Sequence, residues 1–226
     1  MIRNAFMYEI SNQVGQYAVR TRFCEVFVNT DGGTLNSNDY TGVYVSMEKI
    51  KRGPNRVDMK RLGPEHTDEP EISGGYMLKI DRPDPGDTGF SSGGMKIMFV
   101  VRLLIDISTY QRILRSNFIN NMYQWLDHFD LEKGYFNYID GDSWIDHKIL
   151  IMFAKGETIN SSYFFKDRGK KMRYGPIWDF NLALGGGEFD LISPPVGWTS
   201  DTHGSHGWYE RLLANPHFKR RYIERW

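Results

Sequence analysis

At 226 residues the chain is long enough for one well-filled core or two small lobes. Its 28 basic and 28 acidic side chains balance, so no global field favours nucleic acid or an anionic membrane. The single cysteine, Cys24, excludes an intrachain disulfide framework and a multi-cysteine zinc site, and its strand-like setting predicts a buried, inert thiol.

The most apolar window, residues 97–107, is broken by Arg102 and Asp106 and is too short to span a bilayer, so no membrane insertion is expected. No signal peptide is evident. Both ends, Ile2-Arg3-Asn4 and Glu224-Arg225-Trp226, read as the interior of elements, and a fragment of a longer chain is expected.

In chain order, residues 4–14 predict a helix capped by Asn4, with Phe6, Ile10 and Val14 on its apolar face and Gly15 as its stop. Residues 17–29 alternate as a strand, 30–39 form a polar loop, and 42–50 return as an antiparallel partner. Residues 51–73 are charged and Pro-punctuated, hence loop. Residues 75–81 predict another strand, and 82–94 a mobile, turn-rich insertion. From Lys96 helical spacing takes over, through Val100, Leu103 and Ile107 to Met122 and Leu126. A further helix is expected over 143–155, capped by Asp142. The tail from His206 to Trp226 is amphipathic. Strands first and helices later predict an α+β fold with two lobes, 1–95 and 96–226.

The most informative stretch is YFFKDRGKKMRYGPIWDFNLALGGG, residues 163–187. Tyr163-Phe164-Phe165 suits a buried strand, Asp167-Arg168-Gly169-Lys170 a tight reversal, and residues 172–178 a returning strand that Gly175-Pro176 ends. Asp179 stands between two aromatics, a position that is costly to bury unless a cation meets it. With Asn181 two residues on, and Gly185 to Gly187 allowing close backbone approach, it suits a Mg²⁺–phosphate site; a local turn cap is the alternative.

Glu157, about twenty residues upstream of Asp179, is the one carboxylate between helix end and strand, and would complete a pair in which one acid orients a nucleophile while the other holds metal; a solvated loop residue is the alternative. Lys79 alternates away from Leu78 and Ile80 and could reach a phosphate, or extend its stem to solvent. Lys49, Lys51 and Arg52 beside Glu48 make a basic cluster of the kind common on surfaces. His203 and His206 match no tight metal template. Trp198 and Trp208 raise carbohydrate binding, although the spacing of Trp208 with Leu212 reads as core.

The ordered motifs resemble the spore-coat CotH kinase family of bacterial atypical protein kinases. They are Ile2-Arg3-Asn4 through Tyr8, Arg22 to Val26, GVYVSMEKIKRGPNRVD (42–58), GGYMLKIDR (74–82), YIDGDSWIDHKIL (138–150), YFFKDRGKKMRYGPIWDFN (163–181) and GWYERLLANPHFKRRYIERW (207–226). The resemblance implies a two-lobed kinase-like fold that uses ATP and Mg²⁺ or another divalent cation to phosphorylate Ser or Thr on a protein partner. Its setting would be bacterial: spore coat, secreted or cell surface. By the same resemblance Asp179 binds metal with Asn181 helping, Lys79 and Glu48 lie on the nucleotide side, and Trp178 packs against the nucleotide.

Two departures stand out. The family's catalytic Asp before the Tyr163 strand is absent from a segment about two residues shorter, leaving Glu157 as substitute, and a strand before the first helix is missing. A displaced base can cost roughly 10²-fold in rate. The alternative is a pseudokinase-like binding or scaffold module of a larger surface or secreted protein.

Overall fold

Among the described residues twelve α-helices and β-strands follow one another, separated by polar and glycine-rich breaks. The computed structural model describes residues 2–81, 88–91, 98–101, 109–126, 134–155, 161–186 and 207–226. Among these are five α-helices and two antiparallel sheets, the mixture expected of an α+β chain.

Helix α1 (Ile2–Gln13) runs into Gly15, whose φ of 85° turns the chain out of the helix. Its buried face is Asn4, Ala5, Met7, Tyr8 and Ser11, while Phe6 and Val14 are exposed. Apolar spacing predicts the opposite face, with Asn4 as cap. Asn4 and Ser11 can be buried because each finds an internal partner; Ser11 Oγ donates to the Gln16 carbonyl at 2.9 Å.

Strands β1 (Thr21–Phe27) and β2 (Tyr40–Met47) pair antiparallel from Thr21↔Met47 to Val26↔Gly42, with a bulge at Val26/Phe27. Asn36 closes the loop between them with a capping box. This two-stranded sheet is largely exposed on both faces, Phe23, Phe27, Val43 and Tyr44 included. For that reason Cys24 is exposed, not buried as its apolar neighbours suggested.

The second sheet has the order β4-β5-β3-β6-β7. Its central strand β3 (Tyr76–Ile80) is buried along its whole length, between β5 (Met98–Val101) and β6 (Ser162–Lys166). β4 (Thr88–Ser91) extends the sheet past β5, and β7 (Arg173–Tyr174) past β6. Residues 88–91 and 98–101 are therefore strands where an insertion and the start of a helix were expected; the remainder of that insertion, with its expected mobility, lies outside the described residues. Helix α2 (Thr109–Trp125) begins later, and buries Ile119, Met122 and the following Leu126.

The β6–β7 turn uses Gly169 at φ 63°, and it seats on Gly74. A Cβ at Gly74 would stand 2.2 Å from the Arg168 nitrogen and from the Asp167 carbonyl carbon. Asp167 Oδ1 accepts the Lys60 N–H at 2.8 Å, and Arg168 donates to the Arg61 carbonyl at 2.6 Å. These bonds lock residues 60–75 to the hairpin.

Side chains alternate across this sheet. Leu78, Ile80 and Phe164 face a core completed by α2, helix α3 (Gly141–Ala154), α4 (Trp208–Ala214) and α5 (Pro216–Arg225). Met77 and Tyr163 face a second core with Met7 and Tyr8 of α1, Ile177 and Phe180. Helix α3 contributes Trp144 and Ile145 to the first core and Leu150, Ile151 and Ala154 to the second, so it is apolar nearly all round. Its cap is Asp140, which accepts the Ser143 N–H at 3.0 Å. Asp142, the expected cap, instead pairs with Arg221 at 2.6 Å.

Trp144 is fully buried among Tyr174, Trp208 and Phe164, with ring centroids at 5.0, 5.4 and 5.9 Å. Truncating it to Ala would cost about 3–5 kcal/mol. The tail splits at Asn215, whose side chain caps α5, with Pro216 in its first turn. Trp208 is core, as its spacing predicted. No helix among the described residues is long and apolar enough to cross a membrane.

Candidate functional site

After β7 the chain leaves the sheet at Gly175, φ 115°, whose N–H still donates to the Tyr163 carbonyl at 2.7 Å. Ile177 is buried and Trp178 half-buried. Trp178 stacks on Tyr8 (centroids 6.3 Å, 17°) and meets Tyr163 edge-on (6.3 Å, 75°). Phe180 is fully buried. Between these anchored aromatics Asp179 takes φ 59°, a left-handed conformation that turns its carboxylate outward. The side chain is exposed, more so than the partly buried position expected from its flanking aromatics.

Two residues of α1 hold this turn. Asn4 Oδ1 accepts the buried Phe180 N–H at 2.7 Å, and Asn4 Nδ2 donates to Asn181 Oδ1 at 2.8 Å. Asn181 Nδ2 in turn donates to Asp179 Oδ1 at 2.9 Å. The Tyr8 hydroxyl accepts the Asp179 N–H at 3.4 Å. Burial pushes the Tyr8 phenol up, so it stays protonated. A chain of amides thus runs from the core of α1 to the carboxylate and fixes its direction.

Nothing in the sequence reading singled out Asn4 or Tyr8 for this role. The signal was a polar residue one turn from a Tyr on a helix whose apolar residues do not form one stripe. The glycine cluster also has an internal use: a Cβ at Gly186 would lie 2.5 Å from the Arg3 guanidinium carbon, so its glycine admits a cation from α1. Gly187 lies outside the described residues.

Lys79 is 2% exposed and directly opposite Tyr163 in the β3–β6 register, with Nζ 4.0 Å from Asp81. Through Tyr163 it belongs to the same sheet face as Trp178. Glu48, just past β2, is held by two guanidinium groups, Arg20 at 2.5 Å and Arg56 at 3.1 Å. The Arg20 hydrogen bonds push its carboxyl down to about 2, with Arg56 adding to the effect. Glu157, Trp198, His203 and His206 lie outside the described residues.

Among the described residues no three His, Cys, Asp or Glu side chains gather as a metal cage. Asp179 forms no ion pair there, and its carboxylate takes one hydrogen bond, from Asn181. An outward carboxylate of this kind fits Mg²⁺, which commonly binds through one or two carboxylates and keeps phosphate oxygens and water as its other ligands.

The family model described as CotH kinase protein matches residues 1–226, the whole chain. No curated protein and no solved structure matches it.

Proposed function

Because the chain belongs to the CotH kinase family, we propose that it is an ATP- and Mg²⁺-dependent protein Ser/Thr kinase. The observation that carries this reading is the Asp179 turn: an outward carboxylate, braced by Asn181 and by Asn4 and Tyr8 of another element. Residues 1–226 would form one kinase-like domain. In this reading residues 1–95 would be the nucleotide-side lobe and 96–226 the helical lobe, with β3 of the first paired to β6 of the second.

Asp179 and Asn181 would hold the divalent cation, which supplies charge neutralisation at the transferred phosphoryl group. Lys79 and Glu48 stand on the nucleotide side, and Trp178, rigid against Tyr8 and Tyr163, offers a ring against which a base can pack. Glu157 would accept the proton of the substrate hydroxyl as its oxygen bonds to the terminal phosphorus and ADP leaves. The chain's contribution is positioning and electrostatics, with no covalent intermediate.

The test is phosphoryl transfer from labelled ATP to a Ser/Thr-rich protein, with and without Mg²⁺, in the wild type and in Asp179→Ala. Equal incorporation by both would sink the metal role.

One observation favours a second reading, a binding or scaffold module. Glu48 is already neutralised by two arginines and Lys79 stands near Asp81, as in a site whose charges are compensated without a ligand. Thermal shift separates the two: ATP–Mg²⁺ at 100 times its Kd stabilises a competent site by about 2.7 kcal/mol. No shift favours the scaffold.

A further inference from the structure

Among the described residues the buried and half-buried cations are engaged, with one exception. Arg56 meets Glu48 at 3.1 Å, Arg221 meets Asp142 at 2.6 Å and Arg173 donates to Gln16 Oε1 at 2.6 Å. Lys166 and Arg211 donate to the Ser73 and Tyr123 carbonyls. The exception is Arg3, half-buried in the first turn of α1, which forms no ion pair, side-chain hydrogen bond or ring contact among those residues. Asp179 is its counterpart: a carboxylate without an ion pair there, held by a single hydrogen bond from Asn181.

The two belong to one small piece of structure. The loop from Asp179 to Gly186 is tied at its start to Asn4, through the Phe180 N–H at 2.7 Å and through Asn181 at 2.8 Å. Its middle is tied to α3, where the Ala154 carbonyl accepts the Leu184 N–H at 2.8 Å. Leu184 and Gly185, both left-handed at φ 51° and 74°, make the bend that follows. Its end passes against the Arg3 guanidinium, which fills the space a Cβ at Gly186 would need. The acid therefore stands two hydrogen bonds from Asn4, and the cation grows from the residue before it, with Cα atoms about 3.8 Å apart. Opposite charges on so short a loop do not pair, because Asn181 aims the carboxylate outward and Gly186 seats the guanidinium.

Held apart in this way, they suit a ligand that carries both signs. Mg²⁺ at one carboxylate keeps phosphate oxygens among its other ligands, and oxygens that the metal does not cover remain anionic. A planar guanidinium meets such oxygens with two parallel donors. Arg3 has no ion pair to give up on making that contact.

We propose that Arg3 grips the phosphate chain of the ligand whose cation binds at Asp179. The loop 179–186 then carries the metal at one end and seats the phosphate anchor at the other. This inference rests on the kinase reading for its nucleotide, but binding of the phosphate chain does not need catalysis.

The probes are inorganic tripolyphosphate with Mg²⁺, ATP–Mg²⁺ and adenosine, each titrated calorimetrically into the full chain. Wild type should bind both phosphate chains. Arg3→Ala should weaken both about tenfold or more and leave adenosine unchanged. Arg3→Lys keeps the charge without the fork and should fall between. Gly186→Ala keeps every charge and strains no left-handed φ, while its methyl displaces the guanidinium. It should weaken the same two ligands with Tm unchanged, since only the far end of a flexible side chain gives way. No tripolyphosphate binding by wild type, unchanged affinity in Arg3→Ala, or an equal loss for adenosine overturns the proposal. Two outcomes separate it from the reading it rests on. Arg3-dependent binding of tripolyphosphate without binding of ATP refutes the kinase reading alone, and ATP bound equally by wild type and Arg3→Ala removes Arg3 while the kinase reading stands.

Discussion

Replacing Asn4 with Ala tests whether α1 builds the candidate site. The substitution strands the Phe180 N–H, which is buried and bonded only to Asn4 Oδ1 at 2.7 Å among the described residues. An unsatisfied buried donor costs about 1–3 kcal/mol, and the lost donation to Asn181 adds about 1 kcal/mol. The expected destabilisation is about 3 kcal/mol, or roughly 6–12 °C in Tm for a domain of this size. Urea denaturation followed by tryptophan fluorescence measures it. Asn181→Ala, which removes only the 2.8 Å bond and its link to Asp179, should cost under about 1 kcal/mol. The double variant should then be less destabilised than the sum by about 0.5–1 kcal/mol, since the two amides share a bond. An Asn4→Ala protein within 0.5 kcal/mol of wild type would refute the clamp, and so would strict additivity.

Three further outcomes follow from the same geometry. Asp179→Gly and Asp179→Ala remove the same carboxylate but differ in tolerance of φ 59°, so the Gly variant should be about 1 kcal/mol more stable by denaturant titration, with phosphoryl transfer lost in both. Gly74→Ala drives a methyl into the Arg168 and Asp167 backbone, and should lower stability by more than about 2 kcal/mol; a Tm unchanged within 2 °C would mean the turn does not seat there. His147 is buried against Tyr174, with ring centroids 3.5 Å apart, and accepts or donates to the Tyr209 hydroxyl at 3.2 Å. Burial, aided by Lys148, pushes it down to about 3. Its folded-state value lies below the unfolded one, so the unfolded chain takes up the proton first. Stability should therefore fall as pH drops from about 6.5 towards 3, by about 1.4 kcal/mol per pH unit from this group. His147→Gln should flatten that part of the profile, and parallel profiles would count against a neutral His147.

The strands that frame the site were legible where glycine and apolar runs agreed. β3 and β6 carry short, nearly continuous apolar runs bounded by turn residues, and the Asp167-Arg168-Gly169-Lys170 reversal uses the positive φ that Gly169 supplies. Residues 98–101 were misread because a short apolar run fits either a strand or a helix, and only pairing with β3 decides it. The face of α1 was misread for a different reason. Apolarity pointed to Phe6 and Val14, yet the buried side is chosen by Asn4, whose partners lie 176 and 177 residues away. Cys24 failed likewise, since alternation marks a strand but not whether anything covers it. Asp179 could be picked out as a candidate site residue from its neighbours. Its exposure could not, because that follows from a backbone angle the sequence does not announce.

The Asn4–Asn181 bond also bears on how the protein is made. Translation proceeds at about 5–20 residues per second, so the ribosome needs roughly 10–35 s to travel from one amide to the other. Throughout that interval α1 has emerged without the loop it will grip, and β3 waits with an open edge until residues 162–166 appear. Chains released early, before residue 179, would hold the hairpin β1–β2 and much of the sheet yet lack the acid altogether. An outward, braced Asp179 therefore exists only after both ends of this long span have been made and have met.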